Sequence, residues 1–373
     1  MSGKNIHSEP FDGGTIRKLE IFEDYAQAWI PTFLPQPHFG EIHIFDFFSG
    51  PGYDSNNIAG SPIRLLTKIN EHLGNILKTK TKIVLHFNEF EPNRKAQNKF
   101  DLLKQNCEDF ISQNPKFKYF LTVNYYNEDA EKLFFKLIPT IKEYPSLVYL
   151  DQNGVKFISQ EYIDELERLN TTDFIYFVSS SFFRRYGMTE EFKKALEIDI
   201  KELESEEYRN MHRLVFNKIN SRLPKNSELK LFPFSIKKKR NIYGIIFGAK
   251  NYAAVDKFLK IAWKRNNLNG EADFDIDEDK SKIQLDMFEG QKLTKVEKFK
   301  NELETKLLER KTVTNKAVLM YTYLNGHIPQ HAVDLIKLMK KQGKLEYEGK
   351  SPFLNYVNVF RKDNIVTYKI ISK

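Results

Sequence analysis

The stretch Ile42-His43-Ile44-Phe45-Asp46-Phe47-Phe48-Ser49-Gly50-Pro51-Gly52 decides how this chain is read. An apolar run of strand length ends on an acidic residue, and two glycines follow it. That is the pattern of a first parallel strand that stops at a ligand. Glycine lets the backbone approach a bound group closely, and the next helix N-terminus points N–H donors at the group's anionic end. A lone Gly-x-Gly also occurs in ordinary turns, so the reading rests on the whole Asp-x-Phe-x-Gly-x-Gly spacing. Asp46, Gly50 and Gly52 are the candidate cofactor residues. Gly60-Ser61-Pro62 then offers a Ser cap and a Pro near the first turn of the following helix.

Working outward, similar apolar runs recur at Lys82–Phe87, Lys118–Val123, Ser146–Leu150 and Asp173–Val178. Helical segments separate them, one from about Ser61, then Pro92–Gln113, Asp129–Lys142 and Gln160–Leu169. A strand-helix alternation of this kind needs right-handed crossovers and a parallel sheet covered on both faces. Ahead of it, Ile16, Leu19, Phe22, Tyr25, Trp29 and Phe33 mark a long amphipathic helix. After it, a helix-rich stretch from Thr189 to Arg222 precedes two strands, Leu229–Ile236 and Tyr243–Ala249. The turn between those strands, Lys238–Asn241, is too short for a crossover, so they pair antiparallel. Five parallel strands closed by an antiparallel hairpin is the arrangement of S-adenosylmethionine-dependent methyltransferases. The fold class expected is therefore a doubly wound α/β sheet of that type.

A helix to about Asn266, a polar stretch over 267–294 and a charged helix Lys295–Arg310 come next. Helices Asn315–Leu324 and Gln330–Lys341 and strands Lys344–Tyr347 and Asn364–Ile371 follow, which is winged-helix order. Three regions are expected: a methyltransferase-like domain over 1–266, a linker over 267–294, and a helix plus winged helix over 295–373.

Composition bounds the function. With 373 residues, 41% hydrophobic and 14% aromatic, the chain can fill two cores. The start has no apolar signal core, and no apolar run approaches the roughly 20 residues that cross a bilayer. A cytoplasmic protein with no membrane contact is expected. One cysteine, Cys107, excludes an internal disulfide and a Cys-rich metal site, and no metal is expected. The net charge of +8 is modest, but its basic clusters are concentrated in the C-terminal half. Lys237-Lys238-Lys239-Arg240 forms one, and Lys337 and Lys341 lie in another; nucleic acid is the expected partner, beside the plainer reading of a solvated surface.

Strand ends supply the remaining candidates. Glu89, one β-α unit after the glycine turn, can accept both ribose hydroxyls of a nucleoside, while Glu91 before Pro92 suits a helix start. Asn127 after the third strand is placed to contact an adenine. Asp151 and Asn153 follow the fourth strand, where amino-methyltransferases carry Asp or Asn before Pro-Pro-aromatic to grip a target amine. This chain has Asp151-Gln152-Asn153-Gly154 instead, which also suits a turn. In the polar stretch, Gln284, Leu285, Met287 and Phe288 belong to a QLDMF box similar to the peptides that dock on bacterial sliding clamps. The alternative for this box is a strap folded back on the chain.

Together the motifs resemble the three-Cys-motif partner protein family, TcmP. The resemblance runs from GGTIRKLEIFEDYAQAW (Gly13–Trp29) through FDFFSGPG, GSPIRLL, NEFEPN and VYLDQNG to YGIIFGAKN, KFLKIAWKR, QLDMF and the winged helix. It implies a methyltransferase-like fold, S-adenosylmethionine as cofactor, and a partner with three clustered cysteines of radical-SAM type. The family's usual Asp-Pro-aromatic-Gly after strand four is altered at Gln152 and Asn153, and the Asp usual near Tyr125 is replaced. Two functions follow: a methyltransferase-type component of a nucleic-acid modification system, or a degenerate fold serving as a nucleic-acid or partner-binding adaptor.

Overall fold

Strand β1 (Glu41–Asp46) pairs in parallel with β2 (Lys82–Asn88) on one side and β4 (Ser146–Leu150) on the other. Strand β3 (Leu121–Tyr126) extends the sheet beyond β2, and β5 (Thr172–Ser179) extends it beyond β4. Strand β7 (Asn241–Ala249) then runs antiparallel between β5 and β6 (Lys230–Lys238), giving the order β3-β2-β1-β4-β5-β7-β6. The computed structural model describes residues 10–36, 38–92, 98–152, 159–179, 211–238, 241–284 and 293–371. The chain divides into two compact units, Met1–Lys250 and Asn251–Lys373.

In the first unit the central strands are buried along almost their whole length, as an apolar parallel sheet covered on both faces must be. On one face Phe45, Val148, Phe174 and Tyr176 pack with helices α5 (Ala130–Glu143), α6 (Gln160–Arg168) and α7 (Met211–Arg222). On the sheet's α1 side, helix α1 (Gly13–Phe33) stacks Phe22 on Tyr149 at 3.9 Å. Further along α1, Tyr25 donates a 2.6 Å hydrogen bond to Asp173 at the start of β5. So α1 runs back along the sheet, from the carboxyl edge toward the amino edge. Helix α2 (Ser61–Glu71) packs beside α1, and α3 (Leu73–Thr79) follows it. Gly248 is required by the core: a Cβ there would overlap the ring of Phe174, its partner on β5.

One buried polar line crosses this apolar interior. Glu41 meets His43 Nε2 at 2.8 Å, His43 Nδ1 meets His86 Nε2 at 2.9 Å, and His86 Nδ1 meets the Tyr126 hydroxyl at 3.0 Å. Burial lowers the His43 pKa and lowers that of His86 to about 3, so both rings are neutral at pH 7. Helix α4 (Lys99–Ser112) buries Cys107 completely, and burial pushes its thiol up to about 12.

The sequence reading needs correction at several ends. Gly60, not Ser61, caps α2, because the Ser61 hydroxyl is engaged by Asp46 at 2.5 Å. The helix expected from Pro92 begins at Lys99, where Asn98 accepts the Phe100 N–H; residues 93–97 lie outside the described residues.

In the second unit, helices α8 (Tyr252–Arg265), α9 (Asp279–Gln284) and α10 (Lys295–Leu308) precede β8 (Thr312–Thr314), α11 (Asn315–Leu324) and α12 (Pro329–Lys341). Strands β9 (Leu345–Glu346) and β10 (Thr367–Ile370) complete an antiparallel sheet of order β8-β10-β9. Strand β8 went unread because three residues, Thr-Val-Thr, carry no periodicity. The stretch read as a linker is folded over 267–284: Asn269, Ala272, Ile276 and Asp279 are buried, and Asn269 donates to Asp277 at 2.5 Å. Its polar residues bond one another, so composition mistakes them for solvent-facing ones. On α12, Ala332, Leu335, Ile336 and Met339 form the buried side, whereas Leu338 is 49% exposed and Val333 only half-buried. Among the described residues no helix is long and apolar enough to cross a membrane.

Candidate functional site

The chain passes from β3 back across β1 to β4, so the sheet changes direction beside β1; ligands of open α/β sheets bind at the carboxyl ends of such strands. The residues singled out at the ends of β1, β2 and β4 converge here.

Asp46 ends β1 and is 1% exposed. It accepts hydrogen bonds from Ser61 at 2.5 Å and from the Phe48 N–H at 3.1 Å, which bends the chain into the glycine turn. Burial raises its pKa to about 7, the charges of Asp151 and Glu89 add to the rise, and the two hydrogen bonds oppose it. Gly50 (φ +67°) and Gly52 (φ +95°) take the left-handed conformation that favours glycine. A Cβ on Gly52 would stand 3.2 Å from Asn106 of α4, and Asn106 Nδ2 donates to the Pro51 carbonyl at 2.7 Å.

Glu89 reaches this turn from the end of β2: its Oε2 accepts the Gly50 N–H at 2.9 Å. Burial raises its pKa, and the Gly50 bond offsets part of the rise. Glu91, two residues on, accepts the Lys99 N–H at 2.6 Å where α4 begins. Asn127 accepts the Glu91 N–H at 2.8 Å, so one of its polar atoms already braces the loop after β2.

Asp151 follows β4 and contacts the Lys18 ammonium of α1 directly, with Asp151 keeping 19% of its side chain exposed. Sequence reading missed Lys18. Its signal was a lysine on the apolar stripe of α1, one turn before Phe22. Asn153 lies outside the described residues.

Strand β6 is antiparallel to β7, which is antiparallel to β5; β6 therefore ends on the carboxyl edge too. Lys237 is exposed there, and its carbonyl accepts from Arg17 at 3.3 Å. The Lys238 side chain and residues Lys239 and Arg240 lie outside the described residues. In the second unit Lys337 and Lys341 are exposed on α12. Gln284 ends α9, while Leu285, Met287 and Phe288 lie outside the described residues.

Strand order, the reversed β7 and the glycine turn at the switch point define the class: a doubly wound α/β protein of the methyltransferase type, followed by a winged helix. Residues 273–352 match the family described as GMT-like wHTH domain. No curated protein matches the chain. Among solved structures it is similar to one described as a putative O-methyltransferase from Klebsiella pneumoniae, at 10% identity and a TM-score of 0.31, over 65% of this chain and 91% of that one. It is also similar to TomG, an O-methyltransferase of tomaymycin synthesis from Streptomyces achromogenes solved with SAM, at 10% identity and a TM-score of 0.31, over 64% and 90%.

Proposed function

We propose that this protein binds S-adenosylmethionine at the carboxyl edge of β1 and β2 and works as the methyltransferase-type component of a nucleic-acid modification system. The observation that carries the reading is the Glu89–Gly50 bond, which draws the strand-two carboxylate onto the positive-φ glycine turn. The donor set fits such a cofactor. Glu89 would accept the ribose hydroxyls, and the Asp46 region would hold the amino-acid end. When bound, the cofactor supplies an electrophilic methyl group. The chain's own task is to hold the acceptor at Asp151 and to exclude water from the turn.

The basic end of β6 and the wHTH domain support nucleic acid as the partner. The resemblance to three-Cys-motif partner proteins supports a second component bearing clustered cysteines. One observation favours the adaptor reading instead: the Asp151 carboxylate is already engaged by Lys18. Calorimetric titration with S-adenosylmethionine separates the two. Binding in the micromolar range that weakens at least tenfold in Glu89→Ala is expected, and absence of heat at high micromolar protein would leave the adaptor.

A further inference from the structure

Lys18 is buried to 8% exposure, and its stem carries an ammonium to the end of β4. Two groups meet it there. The Asp151 carboxylate touches Nζ, and the Phe177 ring on β5 has its centroid 4.3 Å from it. A carboxylate and an aromatic face at one point are groups that recognise an amine nitrogen.

A structural tie does not account for this arrangement. Helix α1 is already held by the Phe22–Tyr149 stack, the Tyr25–Asp173 hydrogen bond and the buried Trp29. The Lys18 pair adds a desolvated cation to a partly open carboxylate at the ligand-binding edge, where a helix needs neither. What it does provide is an amine nitrogen resting where Asp151 would hold the nitrogen of an acceptor.

We propose that Asp151 and Phe177 form a cradle for the amino group of a nucleobase, and that Lys18 is its internal occupant, displaced when the acceptor enters. The inference rests on the nucleic-acid reading above and assigns its acceptor atom as an exocyclic amine nitrogen. Lys18 then acts as a built-in competitor that the correct acceptor must displace.

Two measurements on the full chain test it. Lys18→Ala keeps Cβ and removes the three carbons and the nitrogen beyond it, a space that n-propylammonium fills. At about ten times its Kd, n-propylammonium should raise the melting temperature of this variant by about 3 °C over an equal concentration of sodium chloride. Wild type and Lys18→Ala/Asp151→Asn should not respond. If Lys18→Ala does not fold, Lys18→Met keeps the stem packing out to Cε and the ammonium ion is the probe. The second measurement is anisotropy with single-stranded oligo-dA, oligo-dC and oligo-dT, of which only oligo-dT lacks an exocyclic amine. Removing the competitor should tighten oligo-dA and oligo-dC binding several-fold and leave oligo-dT unchanged or weaker. No propylammonium shift beyond sodium chloride, or equal weakening of all three oligonucleotides, overturns the proposal. If neither wild type nor variant binds any oligonucleotide, the nucleic-acid reading has failed, and the propylammonium shift alone decides the cradle.

Discussion

At the scale of residues, Glu89 and Glu91 stand two positions apart and do different work. Glu89 accepts from Gly50 at the ligand turn, and Glu91 accepts from Lys99 at the start of α4. Glu89→Ala is expected to weaken S-adenosylmethionine binding at least tenfold by titration calorimetry, since hydrogen bonds to a charged group contribute about 1.5–3 kcal/mol. Glu91→Ala should act chiefly on stability; equal effects on affinity would sink the assignment. Asp46 gives a prediction with a definite sign. Its folded pKa, about 7, lies above the ordinary carboxylate value. The folded state therefore holds a proton that the unfolded state has released, and this stabilisation is lost as pH rises from about 4 through 7. Asp46→Asn should melt higher than wild type at pH 8, with the gain shrinking by pH 5.5. A gain that is the same at both pH values would show that Asp46 is not the group responsible. Asp46 and Glu89 were legible in the sequence because strand ends announce themselves as apolar runs stopping at a carboxylate. Lys18 was not, because a lysine on a helix stripe looks like a register error until the fold shows what its stem reaches.

At the scale of elements, the direction of β6 alone brings Lys237 to the carboxyl edge: two successive antiparallel pairings restore the sense of the first five strands. Neutralising Lys237, Lys238, Lys239 and Arg240 together should reduce the slope of log K against log salt by about 0.7 for each single-strand phosphate that these residues neutralise. An unchanged slope would return these residues to a solvated turn. The buried line from Glu41 to Tyr126 makes a second test. Both histidine pKa values lie below the unfolded value, so their contribution is complete above about pH 6.5 and is lost as pH falls, for His86 toward about 3. In His86→Phe, which keeps the stack on Phe45, urea midpoints should fall less steeply between pH 6.5 and 4 than in wild type, while stability at pH 7 drops. The five parallel strands and the closing hairpin could be read from periodicity and turn length. Strand β8 and the folded stretch 267–284 could not: the first is too short for a period, and the second buries polar groups on each other.

At the scale of the whole chain, the division at Lys250 assigns α8 to the second unit, where Asp256 accepts from the Tyr323 hydroxyl at 2.7 Å and Trp263 donates to the Gly326 carbonyl at 2.8 Å. A cut after Lys250 should therefore leave a first unit that unfolds cooperatively and still binds the cofactor. A cut at Lys311 would strip α8 and α10 of the helices they pack against and should give a protein that aggregates on heating. Circular dichroism melts of the two fragments check this, and a Lys311 truncation as well behaved as the other would refute the division. Cys107 makes the first unit its own stopwatch. The only thiol of the chain is sealed under α4, and its pKa of about 12 keeps it unreactive toward maleimides at neutral pH. Its alkylation must wait for α4 to lift, and α4 is the helix whose Asn106 clasps the glycine turn. Labelling rate thus clocks the opening of the ligand edge in unmodified protein, and a ligand seated on that turn would be read as a slower tick.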